Sequence, residues 1–206
     1  VTTVIHPGGA TEVTERYLDG RTKRVTGTAV TDRFYEYGVN ADGTQWTQVY
    51  TGSAGASSPM WERTVTDLLG RTIRTETPAF GGGTEITANE YDEKGRLIRT
   101  SAPGQADTLY EYDELGNQIR TGLDVDGSGA LETASADRIT ESDAMYTRIG
   151  AAWWQQSVQT VYAETGDDTA TSAGTRRTRI TGLGVAGEYG ILTGESVSVD
   201  IHGNQT

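Results

Sequence analysis

A turn signal recurs along this chain in a fixed frame. Gly20, Gly43, Gly70, Gly95 and Gly116 are separated by 23, 27, 25 and 21 residues. Three residues before the glycine stand Asn40, Asp67, Asp92 and Asp113, with Tyr17 the departure. Three residues after it stand Trp46, Ile73, Ile98 and Ile119, with Lys23 the departure. Four after it stand Arg24, Arg74, Arg99 and Arg120, with Thr47 the departure. Three units align without gaps: V-T-D-L-L-G-R-T-I-R-T from Val65, E-Y-D-E-K-G-R-L-I-R-T from Glu90, and E-Y-D-E-L-G-N-Q-I-R-T from Glu111.

The residue types in that frame are those of a β-hairpin. Asp or Asn at the first turn position can bond its own backbone two residues on. Gly at the fourth position supplies positive φ at no steric cost. Together they suit a type I turn closed by a glycine bulge. The flanks alternate as strands do. In R-T-I-R-T-E-T, Ile73, Thr75 and Thr77 share one face, and Thr72, Arg74 and Glu76 share the other. A lone hairpin is marginal in water, whereas stacked units bury a face that none can bury alone. Composition agrees with turns and strands, since Gly numbers 27 and Pro only 4. At 34% apolar and 8% aromatic residues, the chain is lean for one thick core but not lean enough for disorder.

The segments Tyr91–Thr100 (Y-D-x-x-G-R-L-I-R-T) and Tyr112–Asn117 (Y-D-x-L-G-N) resemble the YD repeats of bacterial RHS proteins. Similar repeats occur in the shell component of Tc toxins and in teneurins. The resemblance covers residues 11–121 best. It implies an all-β fold, an array of β-hairpins forming a curved, spiralling antiparallel sheet that is part of a shell or solenoid. It further implies a secreted or cell-surface bacterial protein. Its partners would be the remainder of a longer RHS chain, or further copies end to end, and an enclosed toxin domain or surface glycans. In RHS proteins the repeats can end in a core region that cleaves itself and releases a toxic C-terminal domain. No such region is recognisable here, so no autoproteolytic residue carries over.

On this reading residues 1–206 form one array. Residues 122–147 break the period as an insertion, and 148–206 hold degenerate repeats, with Gly166 marking one turn. Alternating segments from Trp153, Arg176 and Gly194 are expected to be strands. Residues 130–145 are the one stretch with a trace of helical period. At the far end, Val199–Asn204 repeats the pattern of Tyr112–Asn117, so a hairpin opens there without its return strand. Val197–Ile201 is therefore expected to pair outside its own hairpin or to lie at a bare edge. The start at Val1 without an initiator Met suggests a processed or excerpted segment.

A net charge of −12 repels phosphate backbones and argues against a nucleic-acid partner. No apolar run approaches the roughly 18 residues that a membrane helix needs. The absence of cysteine removes disulfides and Cys metal sites without fixing the compartment.

The sharpest local signal is D-V-D-G-S-G-A-L-E at Asp124–Glu132. It resembles the first nine positions of an EF-hand loop, which makes Asp124, Asp126, Ser128 and Glu132 candidate calcium ligands. The twelfth position is Ser135, not an acid, and Asp137 lies two places further on. Calcium takes about six to eight oxygens, so the loop would need help from elsewhere. The plainer reading is a polar Gly-rich turn.

Other features weigh toward packing. The arginines Arg24, Arg74, Arg99 and Arg120 suit cross-strand pairing with acids better than a stripe for acidic sugars. Tyr91 and Tyr112 suit sheet packing better than ligand stacking. Catalysis has little support: His6 and His202 are the only histidines, and no nucleophile elbow, Walker loop or H-E-x-x-H occurs. The expected function is non-catalytic, a wall segment that encloses or displays other polypeptide. The alternatives are an exported surface or fibre module that contacts glycans or cells and, third, a carbohydrate-active enzyme with paired carboxylates.

Overall fold

A computed structural model describes residues 1–55, 58–162, 168–181 and 193–199. These residues are almost entirely strand and turn. The strands are β1 (Thr2–Ile5), β2 (Thr11–Arg16), β3 (Thr22–Thr26), β4 (Arg33–Val39), β5 (Gln45–Thr51), β6 (Met60–Thr66), β7 (Thr72–Pro78), β8 (Thr84–Tyr91), β9 (Leu97–Ser101), β10 (Asp107–Tyr112), β11 (Gln118–Asp124), β12 (Arg138–Ile149), β13 (Ala152–Tyr162), β14 (Thr171–Thr181) and β15 (Thr193–Val199). Strand order in the sheet follows chain order without a crossover. The all-β hairpin array expected from the turn signal is the fold.

The chain divides into two compact units, Val1–Arg96 with Thr100–Gln105, and Leu97–Arg99 with Ala106–Thr206. In the first, β1 to β8 pair antiparallel, each with the next. In the second, β10 to β15 do the same.

All five expected turns form. In each, the glycine N–H donates to the carbonyl three residues back: Gly20 to Tyr17, Gly43 to Asn40, Gly70 to Asp67, Gly95 to Asp92 and Gly116 to Asp113, at 2.9–3.1 Å. The first turn residue also donates to the carbonyl just past the glycine, as Asp67 does to Arg71 at 2.9 Å. That pair of bonds is a type I turn closed by a bulge, and the ladder slips one residue beside it, between Val65 and Thr66 and between Glu111 and Tyr112. Gly95 has φ +83°, a value that side-chain-bearing residues rarely take.

The uneven spacing of the glycines comes from the opposite end of the hairpins. There the connections 27–32, 52–59, 79–83 and 102–106 differ in length, and strand lengths differ too. The connection 79–83 and the connection 6–10 between β1 and β2 are themselves glycine turns, with Gly82 N–H donating to Ala79 at 3.2 Å and Gly9 N–H to His6 at 3.0 Å. They lack the acid that marks the motif.

Two expectations need correction. Residues 130–145 contain no helix: they run through turns to Asp137 and then enter β12. The insertion is also shorter than 122–147, because β11 continues to Asp124 and β12 begins at Arg138. The alternation of Ile139, Glu141 and Asp143 pairs with β13 instead of coiling. The strands expected near Trp153, Arg176 and Gly194 are β13, β14 and β15. Val197–Val199 pairs with β14, Val199 opposite Thr175. The turns expected at Gly166 and at Asp200–Gly203, and His202, lie outside the described residues.

Little of the molecule is deep interior. The buried apolar side chains among the described residues are Tyr50, Val65, Leu109, Leu131, Ile139 and Trp154. Three of these, Leu109 of β10, Leu131 of the loop 125–137 and Ile139 of β12, form a cluster with Tyr162 packed against it. The insertion thus lays one leucine onto its own unit's sheet. Gly122 makes that approach possible, since a Cβ there would meet the Arg138 carbonyl oxygen at 2.7 Å and the Leu131 side chain at 3.0 Å.

Candidate functional site

Two constructions carry the sequence signals: the motif turns, which tie one hairpin to the next, and the acidic loop between β11 and β12.

In the motif turns the aspartate works on its own loop. Asp67 Oδ1 accepts the N–H groups of Leu69 and Arg71, both at 2.9 Å, and Oδ2 accepts Arg71 Nε at 2.7 Å. Asp92 repeats this with Lys94 N–H at 3.0 Å, Arg96 N–H at 2.8 Å and Arg96 Nε at 2.7 Å. Asp113 accepts from Asn117, through N–H and through Nδ2, both at 2.8 Å. The unit with Tyr17 at that position shifts the task to Asp19, which accepts Arg21 N–H at 3.0 Å and Arg21 Nε at 2.8 Å. In three of these turns the residue after the glycine is thus an arginine held by the turn's own acid, and at Gly116 it is Asn117.

These bonds favour the ionised acids. The Arg96 N–H holds the Asp92 carboxyl below its ordinary value against partial desolvation, with the Arg96 side chain adding to the effect. The Asn117 side chain does the same for Asp113. At Asp67 desolvation is the largest influence and pushes upward, yet the bonds from Arg71 and Leu69 together outweigh it.

The tyrosines bridge units. Tyr91 donates its hydroxyl to the Thr72 carbonyl at 2.8 Å, and Tyr112 to the Leu97 carbonyl at 2.8 Å. Each acceptor lies two residues past the glycine of the preceding motif turn. Tyr37 does the same to Thr22 at 2.9 Å, although it sits two places earlier in its unit than the other two. The arginine of the preceding turn then covers the ring: Arg71 lies 4.6 Å from the Tyr91 ring centre and Arg21 4.4 Å from that of Tyr37. Acid, arginine and tyrosine form one interlock, with a cation–π contact closing it. The arginine after the glycine was the member that sequence reading passed over. Its signal was there, in the G-R of three units.

The unit at Gly43 lacks this arginine and uses tryptophan. Trp46 pairs opposite Gly38, where an added Cβ would come within 2.4 Å of the indole. Arg63 lies 4.4 Å from the Trp46 ring centre. Aromatic cover of a strand glycine compensates for its missing side chain.

The four arginines of the expected ladder are spent on acids. Arg24 Nε meets Glu15 at 2.7 Å, Arg74 Nε meets Glu76 at 2.7 Å, and Arg99 Nε meets Asp107 at 2.8 Å. Arg120 Nε meets Glu141 at 2.8 Å, which raises its already high pKa. Three of them brace adjacent strands, Arg74 pairs with an acid of its own strand, and together they offer no free cationic stripe.

The acidic loop gathers three carboxylates. Asp124, Asp126 and Asp137 each present an oxygen within 4.8 Å of the others. Asp124 is 5% exposed and Asp137 only 1%. Backbone N–H groups surround them. Asp124 accepts from Ser128 and Gly129, both at 2.9 Å, and Asp137 from Val125 at 2.8 Å and Glu132 at 3.0 Å. Asp126 accepts the Ser128 N–H at 3.0 Å, and that bond holds its carboxyl below the ordinary range. Of the four residues singled out by sequence, Asp124 and Asp126 therefore converge. The Ser128 hydroxyl is engaged with the Ala130 carbonyl at 3.2 Å. Glu132 brings its N–H to Asp137, and its carboxylate is not part of the cluster. Asp137, two places beyond the loop's twelfth position, takes the third place.

No family model and no curated protein matches this chain.

Proposed function

We propose that this chain is a non-catalytic wall segment of an RHS-type protein, enclosing or displaying other polypeptide. The observation that carries this reading is the interlock: the residues that define the repeat spend their chemistry on their own turn and on the neighbouring hairpin. Tyr91 and Tyr112 bind backbone, Arg71 covers the Tyr91 ring and Asp92 holds Arg96, as building parts do. The sparse interior fits as well, because a wall one sheet thick needs little core of its own. In this role the chain would lie outside the cell or at its surface.

Limited proteolysis of the parent polypeptide tests the reading. An enclosing wall should shield a neighbouring segment until the repeats themselves unfold. Equal cleavage of that segment with the repeats folded and with them denatured would defeat the proposal. Specific, saturable binding of an oligosaccharide would move the assignment to the surface-module alternative.

Within that wall we propose that Asp124, Asp126 and Asp137 hold calcium and so pin the loop 125–137 over the sheet. The support is their convergence in a loop of hard oxygen donors.

A further inference from the structure

The hairpin of β12 and β13 runs past its neighbour. β11 pairs with β12 only over Arg138–Glu141. β12 continues to Ile149, paired on one side with β13. Residues 142–149 keep their other edge bare: among the described residues they make no backbone hydrogen bond outside the β12–β13 ladder. In an antiparallel ladder alternate residues turn both N–H and C=O to the same side. Every second residue of this segment therefore offers an unpaired donor and acceptor. Of the usual protections of an edge strand, the segment has no Pro, no Lys and no bulge, and its charges are Asp143 and Arg148, toward its two ends.

Between the exposed polar residues Ser142, Asp143 and Arg148, this projection carries exposed apolar side chains. Met145 is 42% exposed, Tyr146 75%, Ile149 41% and Trp153 64%. Residues 144–154, A-M-Y-T-R-I-G-A-A-W-W, carry one charge, Arg148, in a chain of net charge −12. Bare backbone beside exposed apolar side chains is the arrangement that accepts an added strand.

We propose that this edge receives an antiparallel strand, and that the strand is the same segment of a second copy of the chain. Charge favours that occupant. Two chains of −12 repel over most of their surfaces, and this projection is where they can meet without opposing acids. A second copy also brings a strand already extended, and two bare edges then satisfy each other at once. A two-fold axis through Met145, normal to the sheet, keeps matching faces together. It sets Ser142 opposite Arg148, Asp143 opposite Thr147, Ala144 opposite Tyr146, and Met145 opposite its own copy. No like charges face each other in this register.

Sedimentation velocity of the full chain over a range of concentrations tests it, with Met145→Lys, Met145→Glu and their equimolar mixture. Far-UV circular dichroism checks that both variants keep the strand signal. Wild type should dimerise reversibly. Each variant places two like charges on the axis and should raise the dimer dissociation constant at least tenfold. The mixture should recover the dimer. A wild type that stays monomeric, a dimer that persists in both variants, or a mixture that fails to recover would each overturn the proposal.

Discussion

Tyr91 shows how much one hydroxyl can do in a sheet with little interior. Its bond to the Thr72 carbonyl and the Arg71 guanidinium over its ring join two hairpins. Tyr91→Phe keeps the ring and loses the bond, so it should cost about 0.5–1.5 kcal/mol. Tyr91→Ala should cost more, because it also removes the cation–π contact and apolar area. Denaturant melts of both variants measure the difference, and equal losses would mean that the ring contributes nothing. The turn acids give a pH dependence whose sign follows from their shifts. Asp92 and Asp113 have carboxyls lowered in the folded state. Their contribution is present above the ordinary carboxylate value and is lost as pH falls through the lowered one. Melting temperature should therefore decline in acid, and Asp92→Asn should flatten that decline. Gly95 has a backbone reason of its own, φ +83°. Gly95→Val should cost about 1–3 kcal/mol.

Hairpins were the legible elements, and the loop between β11 and β12 was the less legible one. A D-x-x-G turn is a local device: Asp67 and Gly70 need nothing beyond Arg71 to close, so the sequence shows it whole. The loop depends on distant partners. Leu131 finds its place against Leu109 and Ile139, and Asp137 joins Asp124 only once β12 has turned back along β11. No spacing rule contains that return. The weak helical period over 130–145 misled for the same reason, since cross-strand pairing with β13 outweighs a slight local preference. Asp137 should be the most sensitive residue of this element. Asp137→Ala leaves the Val125 and Glu132 N–H groups without their acceptor, at about 2–4 kcal/mol. Calcium at millimolar concentration should raise the melting temperature of the wild type and leave that of Asp137→Ala unmoved. An equal rise in both would remove Asp137 from the site.

At the scale of the whole molecule, strand follows strand, and within each compact unit every strand pairs with the next in chain order. Stability in such an array comes from neighbour contacts, so a local lesion should have local consequences. Native-state hydrogen exchange on Tyr91→Phe measures how far such a lesion spreads. Tyr91 ends β8 and reaches back to Thr72 at the start of β7. Amide protection should fall in β6, β7 and β8 and stay unchanged in β12 and β13. A uniform loss of protection from β2 to β13 would mean one cooperative core, and would contradict the account.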